Sequence, residues 1–146
     1  MSAMQNIDLE TVIKSAVKIP EQLCSASVIY FLLDSGEVIY VGQTRQLFVR
    51  LAAHMMDKTF DSYAAFPVAP EAANDVEAEM IVRFMPPLNK GIPVQDRYVS
   101  YDRLRRIYGL PKKKVQDLIG KDCFVYNGSL YVEMTAEKHA ILGGTR

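Results

Sequence analysis

Two strand-forming runs, SVIYFLL over 27–33 and EVIYVG over 37–42, stand on either side of Asp34-Ser35-Gly36. No other stretch of the chain constrains its fold as much. A three-residue gap closed by Gly reads as a hairpin loop, a type I turn followed by a left-handed residue. That register sets Leu33 opposite Glu37, and therefore Tyr30 opposite Tyr40. Directly opposed residues share a face of the sheet, so the two phenols are expected side by side.

The flanking segments follow the helical period. Residues 8–17 read as a short amphipathic helix with Leu9, Val12, Ile13 and Val17 on one side and Pro20 beyond its end. Over 46–57 the spacing predicts a helix with Leu47, Leu51 and Met55 inward, and Arg50 and His54 fall in the same stripe one turn apart. Residues 60–69 read as a third strand. Pro70 opens a helix over 71–84 with Val76, Met80, Ile81 and Phe84 inward and Glu77 on the border. Pro86-Pro87 ends it, and Leu88-Asn89 folds back beneath it.

The pattern changes after a linker at 90–98. Ser100 caps a helix over 101–107, Gly109 ends it, and Pro111 starts another over 111–119. CFVY and SLYVE follow, joined by Asn127-Gly128, a strong hairpin signal. Helix, turn, helix and hairpin describe a small winged helix-turn-helix over 99–146. Residues before 90 are expected to complete the apolar faces of the 46–57 and 71–84 helices, making 99–146 dispensable for folding of 1–90. The whole is an α/β (α+β) chain, a small antiparallel sheet flanked by helices plus the winged module.

A length of 146 residues, 49% of them hydrophobic, suits one domain or one domain and a module. No apolar run is long enough for a membrane span, and acids precede any apolar stretch at the N-terminus, unlike a secretory signal. Cys24 and Cys123 are far apart without metal-ligand spacing, and read as buried small hydrophobes in a reducing, cytoplasmic compartment. Net charge is zero but uneven: residues 97–121 carry 8 basic and 2 acidic residues. Arg103, Arg105 and Arg106 fall on one helix of the winged module and Lys112, Lys113 and Lys114 at the start of the next. DNA is the expected partner, since a recognition helix presents its N-terminal residues to the major groove.

Tyr30, Tyr40, Arg50, His54, Glu77 and Asn89 are polar residues where a folded core is expected to be apolar. Two phenols, a guanidinium, an imidazole and a carboxylate in one cleft can break a phosphodiester with one metal ion. Val28-Ile29-Tyr30 and Tyr40-Val41-Gly42 stand ten residues apart, Arg50 follows by ten and His54 by four more. Glu77 and Asn89 lie within E-x3-I-x4-P-x-x-N. This set resembles the GIY-YIG endonuclease family over about residues 27–90. Val28 replaces the first Gly, Val41 replaces Ile, and Gln43 stands where some members carry Lys.

The resemblance implies a metal-dependent DNA endonuclease. Glu77 would hold one Mg²⁺, for which Mn²⁺ can substitute, and Arg50 would offset charge on the scissile phosphate. Tyr30 would be the general base with His54 assisting or replacing it. Tyr40 would hydrogen-bond the metal-bound water or phosphate, Gly42 would let the backbone turn tightly, and Asn89 would brace the cleft. One active site cuts one strand, so a double-strand break would need a homodimer or rebinding. The rival reading is a DNA-binding or regulatory protein on an inactive nuclease scaffold.

Overall fold

A computed structural model describes residues 8–18, 26–119 and 123–144 of the chain. The hairpin forms from β1 (Val28–Asp34) and β2 (Glu37–Thr44), but in a different register. Asp34 faces Glu37 across a two-residue loop, Ser35-Gly36, with φ of 52° and 83°. This is the type I′ geometry, whose twist matches that of the strands. Ile39 then enters β2 as an extra residue, since Leu33 faces Val38 while Leu32 faces Tyr40. Tyr30 is therefore opposite Gly42 rather than Tyr40. A displacement of two residues preserves the face, so the phenols are diagonal neighbours, ring centroids 6.0 Å apart.

β3 (Ser62–Pro67) pairs with the other side of β1, giving the order β2-β1-β3. The central strand is buried on both faces. Val28, Tyr30 and Leu32 pack with Leu47 and Leu51, which belong to α2 (Leu47–Met55). Ile29 and Phe31 share a cluster with Val41 and with Ile81 of α3 (Ala73–Phe84). Val28 is thus a core residue. Met55 is not inward but 72% exposed; His54 takes its place, so the buried stripe of α2 is Leu47, Leu51 and His54. On α3 the buried residues are Ala73, Ala78 and Ile81. Phe84, expected inward, lies half exposed with its ring edge-on to Phe31 at 5.6 Å.

The N-terminal helix, α1 (Leu9–Ser15), is capped by Asp8, whose carboxylate accepts the Thr11 N–H at 2.8 Å, and it buries no residue. Pro20 and Cys24 lie outside the described residues. Cys123, expected to be buried, is exposed. No described helix is long and apolar enough to cross a membrane.

The second half is built on β4 (Tyr98–Ser100), α4 (Tyr101–Tyr108), α5 (Lys112–Ile119), β5 (Cys123–Tyr126), β6 (Ser129–Glu133) and α6 (Ala136–Gly143). Ser100 caps α4 by accepting the Arg103 N–H at 3.2 Å, and Gly109 ends it at φ 63°. β4 and α6 are not anticipated by the sequence pattern. β4 joins the sheet β4-β6-β5, whose core includes Val99, Leu104, Val115, Val132 and Leu142.

The two halves are not independent. Tyr126 and Tyr131 are buried in one cluster with Ile29, Phe31, Val41 and Ile81, and Phe124 packs against it. Tyr126 also donates to the Pro86 carbonyl at 2.7 Å. The expectation that residues before 90 complete their own apolar faces is corrected here, because Tyr126 of β5 and Tyr131 of β6 belong to the buried cluster that includes Ile81 of α3. Truncating a buried aromatic to Ala costs about 3–5 kcal/mol. Tyr126→Ala is expected to destabilise both halves together by that amount, measured by urea unfolding as one cooperative transition with separate probes in each sheet.

Candidate active site

β2 is an edge strand, and a groove of ≈ 730 Å³ runs along it. Tyr40 from β2, Arg50 and His54 from α2, Glu77 from α3, and Asn89 from the turn beyond α3 all line it, with Lys58. The two sides of the strand supply different groups. Tyr40 shares its face with Tyr30 and α2. Val41 and Gln43 share the opposite face with α3.

Tyr30 is not in the groove wall. It is fully buried behind Tyr40, and its hydroxyl shares a 2.7 Å hydrogen bond with His54 Nε2. Burial pushes the phenol well above its ordinary value, the neighbouring Tyr40 adds to this, and hydrogen bonding to Arg50 only partly opposes it. A general base at neutral pH requires the reverse, so both this shift and the burial of the hydroxyl argue against the base role expected for Tyr30. Arg50 is exposed at the groove, and its pKa is raised by the nearby phenols of Tyr30 and Tyr40, Tyr30 foremost. His54 is pushed below its ordinary value by burial and by the charges of Lys58 and Arg50. The imidazole is therefore neutral at neutral pH and anchors Tyr30, while its ring lies 4.7 Å from that of Tyr40.

Gly42 does not make a turn; it lies within β2 opposite Tyr30. A Cβ there would lie 2.5 Å from Tyr30 Cζ and Oη, so only Gly lets the buried ring cross the strand. Asn89 is buried and bonds both backbone groups of Val41: its amide donates to the carbonyl at 2.8 Å and its Oδ1 accepts the N–H at 2.9 Å.

Glu77 is half buried, and Gln43 Nε2 donates to its Oε2 at 2.7 Å. Burial raises its pKa, against a lowering by Gln43. Among the described residues no Lys or Arg forms an ion pair with it, and no three His, Cys, Asp or Glu cluster as a protein-only metal cage. Gln43 also donates to Asn74 Oδ1, which fixes its amide toward the carboxylate.

Gln43 and Lys58 were missed by sequence reasoning. The parity of Gln43 with Val41 and the one-turn offset of Lys58 from His54 were available signals. Lys58 Nζ lies 5.2 Å from the Tyr40 ring centroid and 3.3 Å from Asp57. Lys90 also lines the groove. Arg103, Arg105, Arg106, Lys112, Lys113 and Lys114 are all exposed on α4 and α5 and none lines the groove. Arg105 pairs with Asp102 at 3.8 Å. Compared with family models, with curated proteins and with solved structures, the chain finds no match.

The raised pKa of Glu77 fixes a sign. A carboxyl raised in the fold contributes its full stability below the unfolded value of 4.5 and loses it as pH rises through the folded value. Glu77→Gln keeps an acceptor for Gln43 without the charge. It is expected to raise the melting temperature of the metal-free protein at pH 7, with the advantage vanishing below about pH 4.5 in a pH series of thermal melts.

Proposed function

We propose that this chain is a GIY-YIG-type endonuclease that hydrolyses DNA phosphodiester bonds with one divalent cation. The observation that carries this reading is the convergence of Tyr40, Arg50, His54, Glu77 and Asn89, from four separate segments, on one groove. Each has a bland role by itself; gathered around one carboxylate without an ion-pair partner they form a phosphoryl-transfer site.

The donor set fits Mg²⁺ or Mn²⁺. A single carboxylate beside open groove suits an ion that keeps most of its waters and takes substrate phosphate as a ligand. Glu77 would hold it, and when bound it would supply charge neutralisation at the phosphate. Arg50, which lines the same groove, would offset charge on that phosphate. Lys58 adds the charge that Gln43 does not carry. Tyr40 is the phenol that opens on the groove, with Arg50 and Lys58 beside it. Tyr40 would hydrogen-bond the attacking water or the phosphate, with Tyr30 and His54 packed behind it.

Plasmid nicking with Mg²⁺ against EDTA tests this. Glu77→Ala and Glu77→Gln are expected to reduce nicking by at least about 10²–10³-fold, and Tyr40→Phe by about 10²–10³-fold. Near wild-type nicking by Glu77→Gln would place the metal elsewhere. Wild-type protein that never nicks but binds DNA would leave the inactive-scaffold reading.

We read the second half as a winged helix-turn-helix that docks DNA, with Lys112, Lys113 and Lys114 at the start of its second helix and Arg103, Arg105 and Arg106 on its first. Neutralising the three lysines is expected to flatten the log–log salt dependence of DNA affinity by about 0.9 for each phosphate no longer neutralised. Fluorescence anisotropy over a salt series measures it, and an unchanged slope would reduce the lysines to a solvated face. Double-strand cleavage would use a homodimer or two successive binding events.

A further inference from the structure

Among the described residues, two apolar surfaces lie without a partner. The first is the face of α1. Leu9, Val12 and Ile13 stand at i, i+3 and i+4, all more than half exposed, while the Glu10–Lys14 ion pair at 2.8 Å occupies the opposite side. The second is a groove of ≈ 410 Å³ between β3 and α3, whose walls include Phe31, Phe66, Val76, Met80 and Phe84. Phe66 is 57% and Phe84 46% exposed there.

We infer that α1 docks in cis, its Leu9-Val12-Ile13 face filling the groove between β3 and α3. Three observations support this, none of which depends on the nuclease reading. A seven-residue helix is too short to persist alone, since isolated helices below about 12–15 residues are marginal in water. A helix here therefore calls for a packing surface, and its apolar stripe states the chemistry of that surface. Next, the chain enters β1 at the rim of this groove. The Ser27 carbonyl accepts the N–H of Val68, and Val28 faces Pro67; both Pro67 and Val68 are groove residues. From Lys18 to Ala26 is eight residues, a tether with a reach of at most about 26–29 Å. A helix tethered at the rim meets the groove at high effective concentration, which favours its own chain over a second copy. Finally, a docked helix would cover the exposed rings of Phe66 and Phe84, an apolar patch on the sheet face.

The chain contains no Trp, so one introduced residue is a clean reporter. Val12→Trp and, separately, Ile13→Trp place it on the apolar face; Lys14→Trp places it on the other. In cis docking gives blue-shifted emission for at least one of the first two, independent of protein concentration, and water-like emission for the third. Adding Phe66→Ser and Phe84→Ser should return the shifted emission to the water-like value. The same groove pair without Trp is checked by far-UV circular dichroism to retain the fold. Water-like emission from both Val12→Trp and Ile13→Trp overturns the inference, as does a blue shift that survives the groove substitutions. A blue shift that grows only as the protein dimerises in analytical ultracentrifugation also overturns it, by assigning the helix to the groove of a second copy.

Discussion

The pairing of the Asn89 carboxamide with both backbone groups of Val41 is the constraint on which the groove depends. β2 is an edge strand, and its outward N–H and C=O groups would otherwise face the groove unpaired. A buried amide that donates and accepts at once does the work of one residue of a neighbouring strand. The next residue back makes the same kind of bond: the Leu88 N–H donates to the Ile39 carbonyl at 3.0 Å. Ile39 is the extra residue of the bulge, so the irregularity in β2 is satisfied by the turn that follows α3. Helix α3, with Glu77, is thereby locked to the strand that carries Tyr40.

The polar groups behind the groove obey the same rule. A buried hydroxyl, imidazole or amide without a partner costs about 1–3 kcal/mol, so a buried network is stable only when each member is bonded. Tyr30 answers His54, Asn89 answers Val41, and Gly42 removes the one Cβ that would block the Tyr30 ring. Glu77 is the exception. Its single amide partner leaves a half-buried carboxylate whose charge is disfavoured by burial. A group held at a cost to the fold is where a ligand of opposite charge gains the most.

Much of this was legible in the residues, and the failures have physical causes. The hairpin, both turns rich in Gly and Asn, and the helical stripes follow from local chemistry that each segment carries alone. The register did not, because the bulge at Ile39 is stabilised by Leu88, 49 positions away. Met55 and His54 are adjacent candidates for one inward position, and apolarity favours Met55; the Tyr30 hydroxyl waiting inside decides for His54. β4 is three residues long and exists only because β6 pairs with it. Tyr126 and Tyr131 look sufficient for their own hairpin, and nothing local tells that they cap the other sheet. Tyr30 was legible as a site residue but not in its role, since a strand position does not reveal whether the hydroxyl ends in the cleft or behind it.

The turn between β5 and β6 extends this chain of contacts. Asn127, at φ 48°, aims its side-chain amide at the carbonyls of Asn89 (2.9 Å) and Lys90 (2.8 Å). The backbone whose side chain clamps Val41 is thus itself clamped by the second half. Residues 91–97 do not behave as a loose tether either. The Gln95 side chain donates to the carbonyls of Pro93 and Tyr98 and accepts from the N–H groups of Arg97 and Tyr98, knotting the connection into one shape. A flexible connection would let each half sample orientations and would lose entropy on every productive encounter. Here the orientation is set in folding. Under the proposed function, DNA held by α4 and α5 would meet the groove in one geometry, so the position of the cut relative to the bound segment follows from the fold, through Asn127, Asn89 and Val41.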